Sequence, residues 1–170
     1  MSQSKVMVFV DGSNLFWSLK RINLKIDHFK LVSHLVGDRF LVRPYFYTSV
    51  SVPPNENQIR FLHALTYQGF TVVTRPLKSR VIGGQSIILE KGLDVALAMD
   101  MLISAFRGLY DTAILVSGDD DYTSVVDMVK QCGKRVEVAA FKFAIGNSLR
   151  SIADKFVSLD QLQEAVRLQE

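Results

Sequence analysis

Short apolar runs rich in Val, Ile, Phe and Tyr alternate along this chain with segments of helical periodicity. The runs predict five strands, at residues 6–10, 41–48, 70–74, 112–116 and 135–140. Helical segments lie between and after them, at about 14–21, 28–36, 56–68, 92–106, 122–132, 147–154 and 160–169. Alternation of this kind predicts an α/β fold, a three-layer sandwich around a mainly parallel sheet with strand order 3-2-1-4-5.

Two segments depart from this pattern. Residues 75–90 predict a hairpin insertion, because Gly83 and Gly84 separate two short segments rich in β-branched residues. Residues 92–106 are apolar nearly all round, which indicates either deep burial, the favoured interpretation, or a contact between two copies of the chain in a homodimer. No repeat, low-complexity tract or linker divides the 170 residues, so we expect one domain over 1–170.

Composition narrows the classes of protein that remain. The chain has one cysteine, Cys132, which cannot form an internal disulfide and favours a reducing compartment. The five apolar residues that precede Asp11 are too few for a signal peptide or a membrane span. The three histidines show no spacing typical of a zinc site. We therefore expect a cytoplasmic protein with no membrane contact and no zinc.

The charges are divided unevenly along the chain. Residues 1–80 carry 11 Lys and Arg against 4 Asp and Glu, whereas residues 81–170 carry 9 against 13. Asp outnumbers Glu by 12 to 5, and Asp is typical of turns, caps and oxygen-ligand sites. A basic half beside a cluster of Asp residues suits a metal-assisted enzyme that acts on a polyanion.

Carboxylates follow two strands that the predicted topology makes neighbours. Asp11 ends the first strand and Asp119 follows the fourth, so both lie where strands 1 and 4 meet at the switch point of the sheet. Asp94 opens the helix that leads into strand 4, and its helical face, shared with Leu97 and Met101, predicts that it points inward. Asp100, about 240° further round that helix, should not join the cluster.

Carboxylates that converge from three segments repel one another unless a cation compensates them. An all-oxygen site without His or Cys suits Mg²⁺ or Mn²⁺, which keep several waters and leave room for phosphate oxygens. Such ions stabilise the charge of an in-line attack on a phosphodiester. The cluster therefore predicts a metal-dependent phosphodiesterase chemistry.

The chain resembles the NYN domain family, in particular its LabA-like bacterial branch, which is related to the PIN-domain ribonucleases. The resemblance covers residues 5–160 and lies in four segments taken in order, 10–14 (VDGSN), 91–100 (KGLDVALAMD), 116–122 (VSGDDDY) and 148–156 (SLRSIADKF). It departs from the family at Asp120, where a small residue is usual, and at Tyr122, where Phe is usual.

The resemblance implies a Rossmann-like, PIN-type fold whose acidic pocket binds a divalent metal and cleaves RNA. A pocket between strand ends admits a flexible strand better than a rigid duplex, so the expected substrate is single-stranded RNA. Asp11, Asp94, Asp119 and Asp121 would be the metal-site and catalytic carboxylates, with Asp120 either a solvated extra charge or a substitute for Asp121. Asn14 and Ser117 would contact a ligand water or a phosphate. The alternative is a non-catalytic module that binds RNA or protein and retains the pocket as a vestige.

Further residues carry predictions about RNA binding. Arg75, Lys78 and Arg80 cluster where strand 3 runs into the hairpin, and with Arg43 near the same edge of the sheet they either contact the phosphate backbone or form a solvated basic surface. Lys91 either neutralises a phosphate at that edge or is an ordinary surface lysine. Phe16 and Trp17 either stack on bases or, the favoured interpretation, pack in the core. Asp100 and Asp154 are expected to hold loops or caps, and Cys132 to pack.

Overall fold

Six parallel strands form the central sheet of the computed structural model, which describes residues 3–169. The strands of the chain are β1 (Lys5–Asp11), β2 (Phe40–Val50), β3 (Thr71–Pro76), β4 (Lys78–Ile82), β5 (Gln85–Leu89), β6 (Thr112–Val116), β7 (Arg135–Ala140) and β8 (Lys155–Ser158). The helices are α1 (Gly12–Arg21), α2 (His28–Val36), α3 (Glu56–Tyr67), α4 (Leu93–Phe106), α5 (Thr123–Gln131), α6 (Asn147–Ile152) and α7 (Gln163–Val166).

The strand order of the large sheet is β3-β2-β1-β6-β7-β8, and each neighbouring pair is parallel. The α/β class and the relative order of the five predicted strands are confirmed. The edge strand β8 was not predicted, so the order differs there. The predicted helix at 160–169 is wrong in its extent, because a 3₁₀ turn at Leu159–Gln161 and the short α7 take its place.

Two hydrophobic cores lie on the two faces of this sheet. β1, β6 and β7 alternate their side chains between both cores, so they are buried on both faces, as their unbroken apolar runs predict. One core lies under α1 and α2, and the other lies under α4 and α5. Sequence caps fix where the helices begin: Asp27 accepts from the N–H of Lys30 at α2, and Asn55 forms a capping box with Gln58 at α3.

The helix α4 is not deeply buried, which corrects the favoured prediction for residues 92–106. Its inner face packs on β1, β2 and α5 through residues such as Leu97 and Met101. Its outer face stays in contact with solvent, and the large apolar side chains there include Val95, Met99 and Phe106. A contact between two copies of the chain on this face stays a prediction.

The hairpin predicted within 75–90 is present as the two-stranded antiparallel sheet of β4 and β5. Gly83 and Gly84 form its turn with φ of 60° and 81°, values that glycine adopts without strain. Every residue of its strands except Leu89 is exposed. The hairpin connects the carboxyl end of β3 to the start of α4. No helix between residues 3 and 169 has the length and apolar character needed to cross a membrane.

Candidate functional site

Asp11 accepts the most hydrogen bonds of the carboxylates at the carboxyl edge of the sheet. It ends β1 and caps α1, and its Oδ1 accepts a hydrogen bond from the N–H of Asn14 at 3.1 Å. Its Oδ2 accepts from the hydroxyls of Ser117 at 3.2 Å and Tyr122 at 3.0 Å. Its exposed fraction is 8%. Burial raises the pKa of Asp11, and the nearby charge of Glu90 acts in the same direction, while the three hydrogen bonds act against them.

The loop after β6 is tied to the start of α1. The N–H of Gly118 donates to Oδ1 of Asn14 at 3.1 Å, and the N–H of Asp119 donates to Oγ of Ser117 at 3.2 Å. A side chain at position 118 would collide with the backbone of Ala144, so only glycine lets the loop after β6 approach the loop after β7 this closely. Asn14 and Ser117, which were predicted to contact a ligand, therefore form hydrogen bonds that hold the loop after β6 against the start of α1.

Tyr122 is where the predicted carboxylates meet. Its side chain is buried, and its hydroxyl donates to Asp11. Burial raises the pKa of Tyr122, and the charges of Asp11, Asp94 and Asp119 add to that increase. Because β1 pairs with β6, Asp11 at the end of β1 and Asp119 just after β6 lie at one edge of the sheet, and the charge of Asp94 at the start of α4 also acts on this hydroxyl.

The other acidic residues of this edge differ in exposure and in their partners. Asp94 is exposed in the first turn of α4, which corrects the prediction that it points inward. Asp119 is half-buried, and its Oδ1 accepts from the N–H of exposed Asp121 at 2.9 Å. Asp120 points away from this group, because its Oδ1 accepts from the N–H of Leu149 at 2.8 Å and so holds the first turn of α6.

Glu90 belongs to the same edge and was missed by the sequence analysis. It accepts a hydrogen bond from Oγ of Ser13 at 2.6 Å, and its charge acts on Asp11. The only sequence clue was its place directly before Lys91, where the hairpin returns to α4. In the sequence, Tyr122 stands out only because the family usually has Phe at this position, and nothing in the sequence alone shows that its hydroxyl reaches Asp11.

Asp100 and Asp154 hold structure, as expected. Oδ2 of Asp100 accepts a hydrogen bond from the hydroxyl of Tyr47 at 2.9 Å, which connects α4 to β2. Asp154 accepts from the N–H of Val136 at 2.8 Å and pairs with Lys130 at 3.4 Å. Cys132 is a free, half-buried thiol at the end of α5, where it packs against the core beneath that helix.

The predicted basic residues are not all at this edge. Arg75 lies near the carboxyl end of β3, Lys78 and Arg80 lie on β4, and Lys91 lies just before α4, all of them exposed. Arg43 is the exception and corrects the prediction. It pairs in register with Met7 in the first half of β1, and it donates to Oγ1 of Thr71 at 3.3 Å, away from the acidic edge.

The donor set suits a hard divalent cation held with much of its water. In residues 3–169, no three His, Cys, Asp or Glu side chains form a ready-made metal cage. Mg²⁺ typically binds through one or two carboxylates, several waters and substrate phosphates, and it takes oxygen donors only. Asp11, Asp94 and Asp119 offer such oxygens along the carboxyl edge of the sheet, and none of the three forms an ion pair within residues 3–169.

Comparisons with known proteins agree with this picture. A family model described as the NYN domain matches residues 5–160. The Low amplitude and bright protein LabA of Synechococcus elongatus is 25% identical over 167 residues, which cover 96% of this chain and 88% of that protein. The crystal structure of a protein of unknown function, VPA0982, from Vibrio parahaemolyticus superposes with a TM-score of 0.81 at 25% identity, covering 98% of this chain and 97% of that one.

Proposed function

Since this chain belongs to the NYN domain family, whose members are generally nuclease-like, we propose that it hydrolyses phosphodiester bonds of single-stranded RNA. The reaction takes place where Asp11, Asp94, Asp119 and Asp121 line the carboxyl edge of the sheet. The observation that carries the proposal is the pairing of β1 with β6, which places Asp11 and Asp119 at one edge of the sheet, where the hydroxyl of Tyr122 donates to Asp11 at 3.0 Å. Like charges gathered in this way are costly to the fold and suit a cation-dependent reaction.

Asp11, Asp94, Asp119 and Asp121 are the residues that would hold Mg²⁺ or Mn²⁺. When bound, such an ion would supply Lewis-acid activation of water and positive charge to offset the charge of the transition state. Asp11 provides the fixed point of the set, because the hydroxyls of Ser117 and Tyr122 hold its carboxylate in one orientation.

The chain's own side chains prepare the site for a phosphate. The raised pKa of Tyr122, caused first by burial and then by the neighbouring carboxylates, keeps its hydroxyl protonated and donating to Asp11. Asp94 and Asp121 are exposed, so a ligand reaches them without any movement of the core. Lys91 stands three residues before Asp94 and would offset the charge of a bound phosphate.

An unpaired strand fits this edge better than a duplex does. The exposed hairpin of β4 and β5 connects the carboxyl end of β3 to the start of α4, and we expect it to obstruct a rigid duplex more than a flexible strand. Arg75, Lys78 and Arg80 lie on that side and would contact the backbone, so we expect affinity to fall as salt increases. The lone Cys132 suits a reducing compartment, and we propose cytoplasmic RNA as the substrate pool.

The deciding experiment is a cleavage assay on end-labelled, mixed-sequence RNA with Mg²⁺, with Mn²⁺ and with EDTA. Asp94→Asn and Asp119→Asn should abolish cleavage and leave RNA binding nearly unchanged, because they remove acidic ligands and no basic contact. Asp127→Asn is the matched control, since Asp127 is exposed on α5 and its side chain accepts from Gln131. Cleavage that persists in EDTA, or in both Asp94→Asn and Asp119→Asn, would refute the proposal.

The non-catalytic alternative gives a different result in the same assay. A module that binds RNA at the basic residues would retain affinity and release no product with any metal ion. Lys78→Glu would then weaken binding, while Lys30→Glu, on the distant α2, would not. Wild-type binding without cleavage would favour that alternative.

A further inference from the structure

Two aromatic side chains on α1 remain in solvent. Phe16 is 57% exposed and Trp17 is 62% exposed, although packing in the core was the favoured prediction for both. The helix turns its buried face, Leu15 and Leu19, toward the sheet, so the next positions point outward. The two rings meet edge to face, with centroids 5.4 Å apart and planes at 74°. The core prediction is therefore wrong, and within residues 3–169 the aromatic and cationic groups that neighbour these rings all lie on α1.

A cation accompanies these rings. Nζ of Lys20 lies 5.0 Å from the ring centroid of Trp17 and 6.0 Å from that of Phe16. Arg21 follows, with its guanidinium 4.6 Å from the ring centroid of Phe143. From residue 12 to residue 26 the chain has three basic residues and no acidic one. The surface combines π faces with positive charge, which is the chemistry that proteins use to bind unpaired nucleotides.

This surface is continuous with the acidic edge of the sheet. Asp11 caps α1, and Ser13 in its first turn donates to Glu90. Trp17 stands four residues after Ser13, so it lies on the same side of the helix, about 6 Å further along its axis. A strand with a phosphate at the carboxylates would therefore carry its neighbouring bases past Phe16 and Trp17.

We propose that Phe16, Trp17 and Lys20, here called the α1 platform, stack the unpaired bases of a single-stranded nucleic acid that passes the acidic edge. The inference rests on the proposed function, because it names the subsite that would hold the substrate beside the reacting phosphate. Stacking uses the face that every base has, so the α1 platform selects unpaired strands over duplexes and shows weak sequence preference.

Trp17 is the only tryptophan of the chain, so its fluorescence reports on the α1 platform directly. The probe is a short 2′-O-methyl oligouridylate in EDTA, which prevents cleavage. We expect this oligomer to change Trp17 emission in a saturable way. An abasic strand of equal length and a duplex of equal charge should change it much less. Equal responses to all three probes would show that phosphates alone are bound, and would overturn the proposal.

Substitutions separate ring stacking from a merely apolar surface. Trp17→Leu should weaken binding of the labelled oligomer roughly 5- to 150-fold, the range expected for loss of one stacked base, and Trp17→Phe should restore most of it. Tyr67→Leu is the matched control, because Tyr67 is an exposed aromatic residue on α3. Affinity of Trp17→Leu equal to that of the wild type would overturn the proposal.

The outcomes distinguish the α1 platform from the proposed nuclease. If the wild type cleaves RNA and Trp17→Leu binds and cleaves equally well, the platform is wrong and the nuclease proposal stands. If the wild type binds the oligomer through Trp17 and cleaves nothing, the platform stands alone. If Trp17→Leu changes only the sedimentation of the free protein, the rings form a contact between two copies and the proposal fails.

Discussion

Replacing Asp11 by Asn separates the stability of the fold from its response to metal. Burial holds the pKa of Asp11 above its ordinary value, so at neutral pH the folded chain carries a charge that it disfavours relative to the unfolded chain. The cost of that charge is present above the folded pKa and disappears as pH falls below it. Asn removes the charge and still accepts the N–H of Asn14, because Asn caps a helix about as well as Asp.

The expected result is a crossing of two melting curves. Without metal, Asp11→Asn should melt at the wild-type temperature or above it. With metal at about 100 times its dissociation constant, the wild type should gain about 2.7 kcal/mol, which raises the melting temperature by roughly 5–10 °C in a chain of this size. Asp11→Asn should lose at least half of that increase, because it removes the most firmly oriented carboxylate of the set.

The assay is thermal unfolding in EDTA and in millimolar MnCl₂ at neutral pH, with Asp127→Asn as the control of identical chemistry. Asp127 should leave both curves unchanged, since it lies on the exposed side of α5. An equal manganese increment in wild type and Asp11→Asn would show that Asp11 is only a helix cap. A metal-free variant that melts several degrees lower would show that the hydroxyl hydrogen bonds outweigh the buried charge.

Three further predictions concern the frame of the site. Gly118→Ala should lower both the melting temperature and the rate of RNA cleavage, because its side chain would collide with the backbone of Ala144. Wild-type values of both quantities would contradict this. Burial lowers the pKa of His28 from 6.5 to about 4, so the free energy of unfolding should decline by up to about 3 kcal/mol as the pH falls from about 6.5 to 4. His28→Phe should flatten that decline in urea titrations. Arg39→Ala should cost about 1.5–3 kcal/mol in the same titrations, because it removes the two hydrogen bonds that Glu137 accepts at 3.0 and 3.1 Å and leaves Arg135, 3.5 Å away, as the remaining partner of this buried carboxylate; a loss below about 1 kcal/mol would contradict that reasoning.

The strands were predictable where burial on both faces left an unbroken apolar run. β6 and β7 have the predicted bounds, since solvent touches almost none of their side chains. β8 was not predictable, because its four residues begin with exposed Lys155 and are half-buried at an edge of the sheet. Such a strand exists only because β7 offers it hydrogen-bonding groups, and that information is not local.

The faces of helices were harder to predict than the helices themselves. The bounds of α1 and α4 were close to those observed, yet Phe16, Trp17 and Val95 are exposed against expectation. Apolar character indicates burial only when a neighbouring element is there to cover the side chain, and residues 3–169 place none over these positions. The same gap explains Asp94, which was expected to share the buried face of Leu97 and Met101 but whose own carboxylate stays in solvent.

The topology carried the prediction of the site further than any single motif did. Asp11 and Asp119 were expected together because strands 1 and 4 of the predicted order are neighbours, and β1 does pair with β6. Glu90 and the hydroxyl of Tyr122 were not foreseeable, because each reaches the site through a side chain whose direction depends on the packing around it.

The hydrogen bonds of the site divide its carboxylates into two kinds. Asp11 and Asp119 accept hydrogen bonds that shape the loops, so the fold alone is reason to keep them. Asp94 and Asp121, within residues 3–169, accept no hydrogen bond through their side chains and form no ion pair, and the charge of Asp94 acts on the same buried hydroxyl as those of Asp11 and Asp119. The contacts of the fold therefore give no reason for these two carboxylates, whereas the proposed metal-dependent reaction would. Asp94→Asn should accordingly leave the metal-free melting temperature unchanged or raised while cleavage is lost, and a variant that unfolds more easily would show that Asp94 serves the fold instead.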